Sequence, residues 1–235
     1  ITKSGTNQLK GTAYTFYRDE TFNGRKVGDL ELPTLEKQTN NIYGGSLGGA
    51  LIKDKLFFFV NAEFEREVRP GFNFVASRPG LTGPNVSNVP ATDLETVSSF
   101  LRERYGYETG PYENYANNFL QQNFKFVTRI DWNINDNHRA TFRYSEMEEV
   151  VPKFPGIGSG NVSLSTHWYD QNKIIETYVA EVFSDWTENF STEFKVSYRD
   201  YSAIRVNPTT APSITVYFDD NDNVVDAPNT SSDFI

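Results

Sequence analysis

Asn123-Phe124-Lys125-Phe126-Val127-Thr128-Arg129-Ile130-Asp131-Trp132, the polar turn Asn135-Asp136-Asn137, and Arg139-Ala140-Thr141-Phe142-Arg143-Tyr144 form the stretch that decides the fold. Phe124, Phe126, Thr128, Ile130 and Trp132 fall on one side of an extended chain, with Lys125, Val127, Arg129 and Asp131 on the other. Ala140, Phe142 and Tyr144 then stand opposite Arg139, Thr141 and Arg143. A period of two gives strands with one apolar and one polar face, and a compact polar turn between two such runs closes an antiparallel hairpin. The design recurs where Tyr178, Ala180 and Val182 lead into the turn at Trp186-Thr187-Glu188-Asn189. Beyond it Phe190, Thr192, Phe194, Val196 and Tyr198 alternate with Ser191, Glu193, Lys195, Ser197 and Arg199.

Working outward, strands are expected at about Leu9–Arg18, Gln38–Leu51 and Leu56–Val68, which makes seven in all. In the last of these Phe57 and Phe59 head the otherwise polar row of Asn61, Glu63 and Glu65. The connections at Lys53–Lys55, Asn135–Asn137 and Thr187–Asn189 are short, whereas those at 19–37, 69–121 and 148–170 are long. Short and long alternate strictly, as in an up-and-down barrel of the outer-membrane type, whose turns are short at one end and whose loops are long at the other. The expected fold is therefore all-β: part of an antiparallel up-and-down transmembrane β-barrel with long outer loops. A soluble β sandwich or propeller is the alternative, but it gives no reason for that parity.

Composition agrees. Among 235 residues there are 19 Phe, 13 Tyr and 3 Trp against one Met, a bias toward strand formers. The absence of Cys excludes disulfide scaffolds, thiolate metal sites and cysteine nucleophiles. A net charge of −9 with dispersed Lys and Arg argues against nucleic acid as a partner. No apolar run is long enough for a helical span, and the mean hydropathy of −0.55 leaves a barrel open, because alternating strands barely register in it. The first residue is Ile1, without a targeting segment, which reads as an internal piece of a longer chain.

One helix is expected inside the longest loop. Thr92-Asp93-Leu94-Glu95 fits a capping box, Leu94, Val97, Phe100 and Leu101 recur at helical spacing, and Gly106 stands at the C-cap. Gly44-Gly45-Ser46-Leu47-Gly48 matches a nucleophile elbow in letters only. No helix follows, and the glycines read as strand positions that a backbone or a bulky side chain approaches closely. Gly156-Ile157-Gly158-Ser159-Gly160 lacks the Lys-Ser/Thr of a phosphate loop and reads as a flexible loop, while His138 and His167 read as surface residues. Asp219-Asp220-Asn221-Asp222-Asn223 and Asp226 read as a hairpin tip, with calcium at Asp220, Asp222 and Asp226 as the minor alternative.

Ile1-Thr2-Lys3-Ser4-Gly5-Thr6-Asn7, followed by Gly11 and an aromatic strand ending at Arg18-Asp19, resembles the junction of plug and first barrel strand in TonB-dependent transporters of the Oar-like type. These carry a carboxypeptidase-regulatory-like domain upstream. Tyr43-Gly44-Gly45-Ser46-Leu47-Gly48-Gly49 and Ile52-Lys53-Asp54-Lys55-Leu56-Phe57-Phe58-Phe59 with Glu63 resemble that family's next two strands, with Ala50 where the family commonly has Pro. The resemblance is close over roughly the first 70 residues and holds only in pattern beyond them. It implies that residues 1–7 end a plug and 8–235 begin the barrel, with outer loops at about 19–37, 69–121, 148–170 and 206–235. It also implies a plugged barrel of about 22 strands, which at this spacing needs on the order of 740 residues.

The function implied is likewise the family's. The resemblance implies import of an extracellular nutrient, oligomeric, peptide or glycan, driven by an inner-membrane TonB complex, with outer-membrane lipid around the barrel and a surface lipoprotein as a further partner. Neither enzyme chemistry nor a cofactor is expected. An outer-membrane adhesin or structural barrel, or a soluble β-rich binding module, is the alternative. Tyr105, Tyr107, Tyr112 and Tyr115 in the longest loop are the candidate substrate contacts, since tyrosine offers stacking area and a hydroxyl. Phe124, Phe126, Ile130, Phe142, Tyr144, Phe194, Val196 and Tyr198 are expected to face lipid, and Arg129, Arg143, Glu193 and Lys195 the lumen.

Overall fold

The computed structural model describes residues 3–31, 37–69, 74–113, 120–210, 214–218 and 223–226. Its strands are β1 (Lys10–Asp19), β2 (Lys26–Val27), β3 (Leu30–Glu31), β4 (Thr39–Ile52), β5 (Leu56–Val68), β6 (Val75–Ser77) and β7 (Val86–Pro90). After helix α1 (Ala91–Tyr105) come β8 (Leu120–Asn133), β9 (His138–Lys153), β10 (Asn161–Ser163), β11 (Tyr169–Thr187), β12 (Phe190–Val206), β13 (Thr215–Phe218) and β14 (Asn223–Asp226). One seven-stranded sheet runs β1-β4-β5-β8-β9-β11-β12, each strand antiparallel to the next in sequence order within it. These are the seven strands expected from alternation, and the sheet is open, as a piece of a barrel is.

A single register row can be followed across the sheet through Tyr17, Asn41, Arg66, Gln122, Val150, Asn172 and Ile204. Because side chains alternate, register fixes both faces at once. Phe58, Ile130, Phe142, Ala180 and Val196 make one row of the apolar face. Gly48, Phe59, Arg129, Arg143 and Val179 make the adjacent row of the other. All eight residues expected on one side and all four expected on the other lie as expected.

The apolar face ends outward in aromatics, and its limit moves across the sheet. On β9, β11 and β12 it is the row Tyr144, Tyr178, Tyr198, with ring centroids 4.9 and 6.3 Å apart. On β1 it is Tyr17, whose register row meets β12 at Ile204, further out than Tyr198. A limit that shifts along the strands from one edge of the sheet to the other is what tilted strands produce.

Above the tyrosines β9, β11 and β12 continue, so the expected loop at 148–170 contracts to the segment between Lys153 and Tyr169. The sequence conceals these extensions because Glu146, Glu148, Glu176 and Asp200 occupy the face that is apolar lower down. Both faces mix polar with apolar residues there, Glu148 pairing with Ile174 and Glu146 with Glu176, and alternation stops reporting the strand.

Two local expectations are corrected. Helix α1 begins at Ala91 with Pro90 as N-cap and no side-chain cap, so the Thr92–Glu95 capping box does not form. Thr92 lies inside the first turn and bonds to Asp93 instead. The C-terminus is as expected: Gly106 is left-handed (φ 64°), its N–H donates to Arg102 O, and Tyr107 N–H donates to Leu101 O. His167 is buried in the short turn between Leu164 and Trp168, not on the surface.

Candidate functional site

The buried core lies outside the large sheet. Ala76, Val89, Ala91, Leu94, Val97, Leu101, Val162 and Leu164 form one cluster, with Tyr107, Tyr112 and Val216 packed against it. These residues come from three loops: the long one between β5 and β8, the one between β9 and β11, and the segment after β12. β10 pairs in parallel with β14, and β14 pairs with β13, so strands of two loops build one small sheet. The third loop joins through Asn88 N–H and Ser87 Oγ, both donating to Ser159 O, and through Ser165 N–H donating to Pro111 O. Gly156–Gly160 is a loop, as expected, and joins the cap through Ser159.

The three loops therefore form one folded cap at the end of the sheet opposite the short turns. The expected hairpin around residues 214–225 is its β13–β14 pair. Asp220 and Asp222, the calcium alternative, lie outside the described residues, and Asp226 is the last residue of β14. Among the described residues no group of three or more His, Cys, Asp or Glu is placed to hold a metal ion.

The structure divides the four tyrosines. Tyr107 packs on the cap core with its hydroxyl buried and without a hydrogen-bond partner among the described residues. Tyr112 packs beside it, accepting from Arg78 at 3.5 Å and donating to Glu95 at 3.4 Å. Burial first, then the carboxylates of Glu95 and Glu113, push the Tyr112 hydroxyl above its ordinary pKa, with Arg78 opposing them. Arg78 in turn is clamped by Glu113 at 2.7 and 3.1 Å, which holds its charge more firmly. Of the three described tyrosines only Tyr105 is open, 68% exposed and edge-on to Phe100 at 6.0 Å. Phe100, expected in the helix's packed stripe, is itself 57% exposed, so the outward aromatic pair is Phe100 with Tyr105. Tyr115 lies outside the described residues.

Below the cap, the polar face of the sheet is a wall that carries several hydrogen-bonded and ion-paired clusters. Tyr14 donates to Glu63 (2.7 Å), and Lys125 reaches the same carboxylate at 3.0 Å. Arg129 clasps Asp131, which also accepts from Thr141, and Lys173 and Gln121 meet Glu149. Gly44 makes room for Tyr14, whose ring lies where a Cβ would be, and Gly48 for Phe59 and Gly5. The glycines are thus sites of close approach, with no helix and no nucleophile elbow.

The segment before β1 lies on this same wall. A Cβ at Gly48 would be 3.6 Å from Gly5 Cα, and one at Gly5 would collide with the carbonyl oxygens of Phe58 and Gly49. Asn7 then grips the β4–β5 turn: its Nδ2 donates to Asp54 Oδ1 (2.5 Å) and its Oδ1 accepts from Asp54 N–H (2.8 Å).

No helix among the described residues is long and apolar enough to cross a membrane. A family model described as an outer membrane beta barrel domain matches residues 1–232. No curated protein and no solved structure gives a match. With nearly the whole chain matched, it belongs to the outer membrane β-barrel domain family and is a protein of the bacterial outer membrane.

Proposed function

From that membership we propose that the chain is the N-terminal part of the barrel of a TonB-dependent importer of the Oar-like type. Residues 1–7 are the junction with a plug, and the whole protein takes up an oligomeric nutrient, peptide or glycan, and is not an enzyme. The observation that carries this reading is the segment before β1, which comes off the polar wall at Gly5 rather than off the apolar face. A domain filling the lumen must enter the barrel from that side. The words Ile1–Asn7 and Tyr43–Gly49 support it independently, through their resemblance to that family's junction and strands. The partners are outer-membrane lipid on the apolar face, the TonB complex on the inner side, the extracellular nutrient, and a surface lipoprotein at the cap.

The test is uptake of labelled peptide and glycan mixtures by cells with and without the inner-membrane energy-transducing complex, using the full-length protein. Energy-dependent accumulation supports the reading; binding that is not followed by energised uptake overturns it. That second outcome is what a surface-binding barrel predicts, the reading that the exposed Phe100–Tyr105 pair on the cap favours.

A further inference from the structure

We infer that Gly5–Asn7 and the β4–β5 turn form a tension-bearing strap, which anchors the segment inside the barrel to the wall when that segment is pulled; this rests on the import reading. Asp54 is the anchor point. It holds a left-handed backbone (φ 62°) in the tight turn between β4 and β5 and presents both its carboxylate and its N–H to Asn7. The turn is itself braced from the other side: Asn133 Nδ2 donates to Asp54 O (3.0 Å), and Asn133 N–H to Lys55 O (2.7 Å). Asn7 therefore grips a point already fixed to β8, and through it to the sheet.

Gly5 adds the second hold. Its backbone lies against β4 and β5 so closely that no side chain fits, and it does so on the polar face, over Gly48. Without these holds, tension arriving through residues 3–9 would fall on Lys10↔Gly48, the first pair of β1. A ladder whose end is pulled off the sheet toward the lumen opens one pair at a time, its weakest mode. With them, the load reaches two hydrogen bonds and a packed backbone together, at a turn braced by a second hairpin. The strap thus lets the interior segment move while β1 keeps its place in the wall.

The hydrogen bonds can be broken and rebuilt. Asn7→Asp removes the donor and sets two carboxylates against each other. The exchanged pair Asn7→Asp with Asp54→Asn restores one donor facing one carboxylate, and Asn tolerates the left-handed backbone at 54. In the full-length protein, hydrogen exchange across residues 52–56 is expected to quicken several-fold in the single variant and return to wild type in the exchanged pair. Energy-driven uptake should fall and recover in parallel, with heat-resistant barrel folding and surface ligand binding unchanged throughout.

Unaltered exchange in the single variant would show that the clasp does not hold the segment, and faster exchange with undiminished uptake would show that it carries no load. Either result overturns the strap. Wild-type uptake that is indifferent to energy supply overturns the import reading instead, and shows itself before any variant is compared.

Discussion

Leu94 and Phe100 belong to one helix and share its apolar spacing, yet Leu94 is wholly buried and Phe100 is open to solvent. The stripe of Leu94, Val97 and Leu101 already fills the side of α1 that faces β7 and β10, and Phe100 falls beyond its edge. Leu94→Ala is therefore expected to destabilise the cap by about 2–5 kcal/mol, read as faster proteolysis of the outer loops with barrel heat resistance unchanged. Phe100→Ala with Tyr105→Ala should leave that protease pattern as in wild type. If the pair meets ligand, the same double variant weakens binding to whole cells; unchanged binding removes these two aromatics from the capture surface. Spacing picks out Leu94, Val97 and Leu101 for the cap core but cannot separate packing tyrosines from open ones, because Tyr107 and Tyr112 differ from Tyr105 only in the sequence-distant residues that pack against them. Tyr112 carries a pH signature. Its pKa is raised in the folded cap, so its contribution to stability is complete below the ordinary tyrosine value and is lost as pH climbs through the raised one. Tyr112→Phe should flatten the loss of cap protease resistance on the alkaline side.

At the scale of elements, register does what composition cannot. Ile130 lies between Phe58 and Phe142 on the apolar face, one row below the tyrosines, whereas Val127 lies between Asn61 and Ser145 on the polar wall. Ile130→Arg places a charge in lipid at a cost of roughly 2–4 kcal/mol, and Val127→Arg places it among polar neighbours at little cost. Urea unfolding of the full-length protein in vesicles should separate the two by that margin; equal midpoints would mean that the faces are assigned the wrong way round. The strands are legible wherever one face has to be apolar, and their outer ends are not. Glu148 and Glu149 are adjacent in β9, on opposite faces, and once both faces meet water the chain can stay extended without advertising it. The helix start is misread for a related reason, since a capping box is a local preference and the chain entering α1 from β7 already ends in Pro90, which sets the entry by itself.

For the molecule as a whole, alternation of short and long connections places all three tight turns at one end and the cap at the other, so one orientation settles every loop. An epitope inserted beside Pro84, on the exposed stretch before β7, should be reached by antibody on intact cells, and one at Asp136 only after the outer membrane is permeabilised. Parity implies that division, but it says nothing of the loops joining one another, because the contacts that do so lie far apart in sequence: Asn161↔Val224, Ser87 to Ser159, Thr166 to Thr109. The cap is therefore expected to stand or fall as a unit. β10 lies between β14 and the helix-bearing loop, and its Val162, with Leu164 just beyond, is fully buried in the cap core. Replacing residues 208–226 with a Gly/Ser linker removes the strand that covers β10 and the Val216 that packs on the shared core, while every residue of the β5–β8 loop keeps its identity. Independent loops would leave protease cleavage between Val75 and Glu113 unchanged in that variant, with the barrel still heat-resistant. A single cap predicts new cleavage in that distant loop, together with loss of any antibody that recognises its folded form but not its peptide. Cleavage confined to the linker would show that the loops fold separately and that the shared core contributes little to holding them.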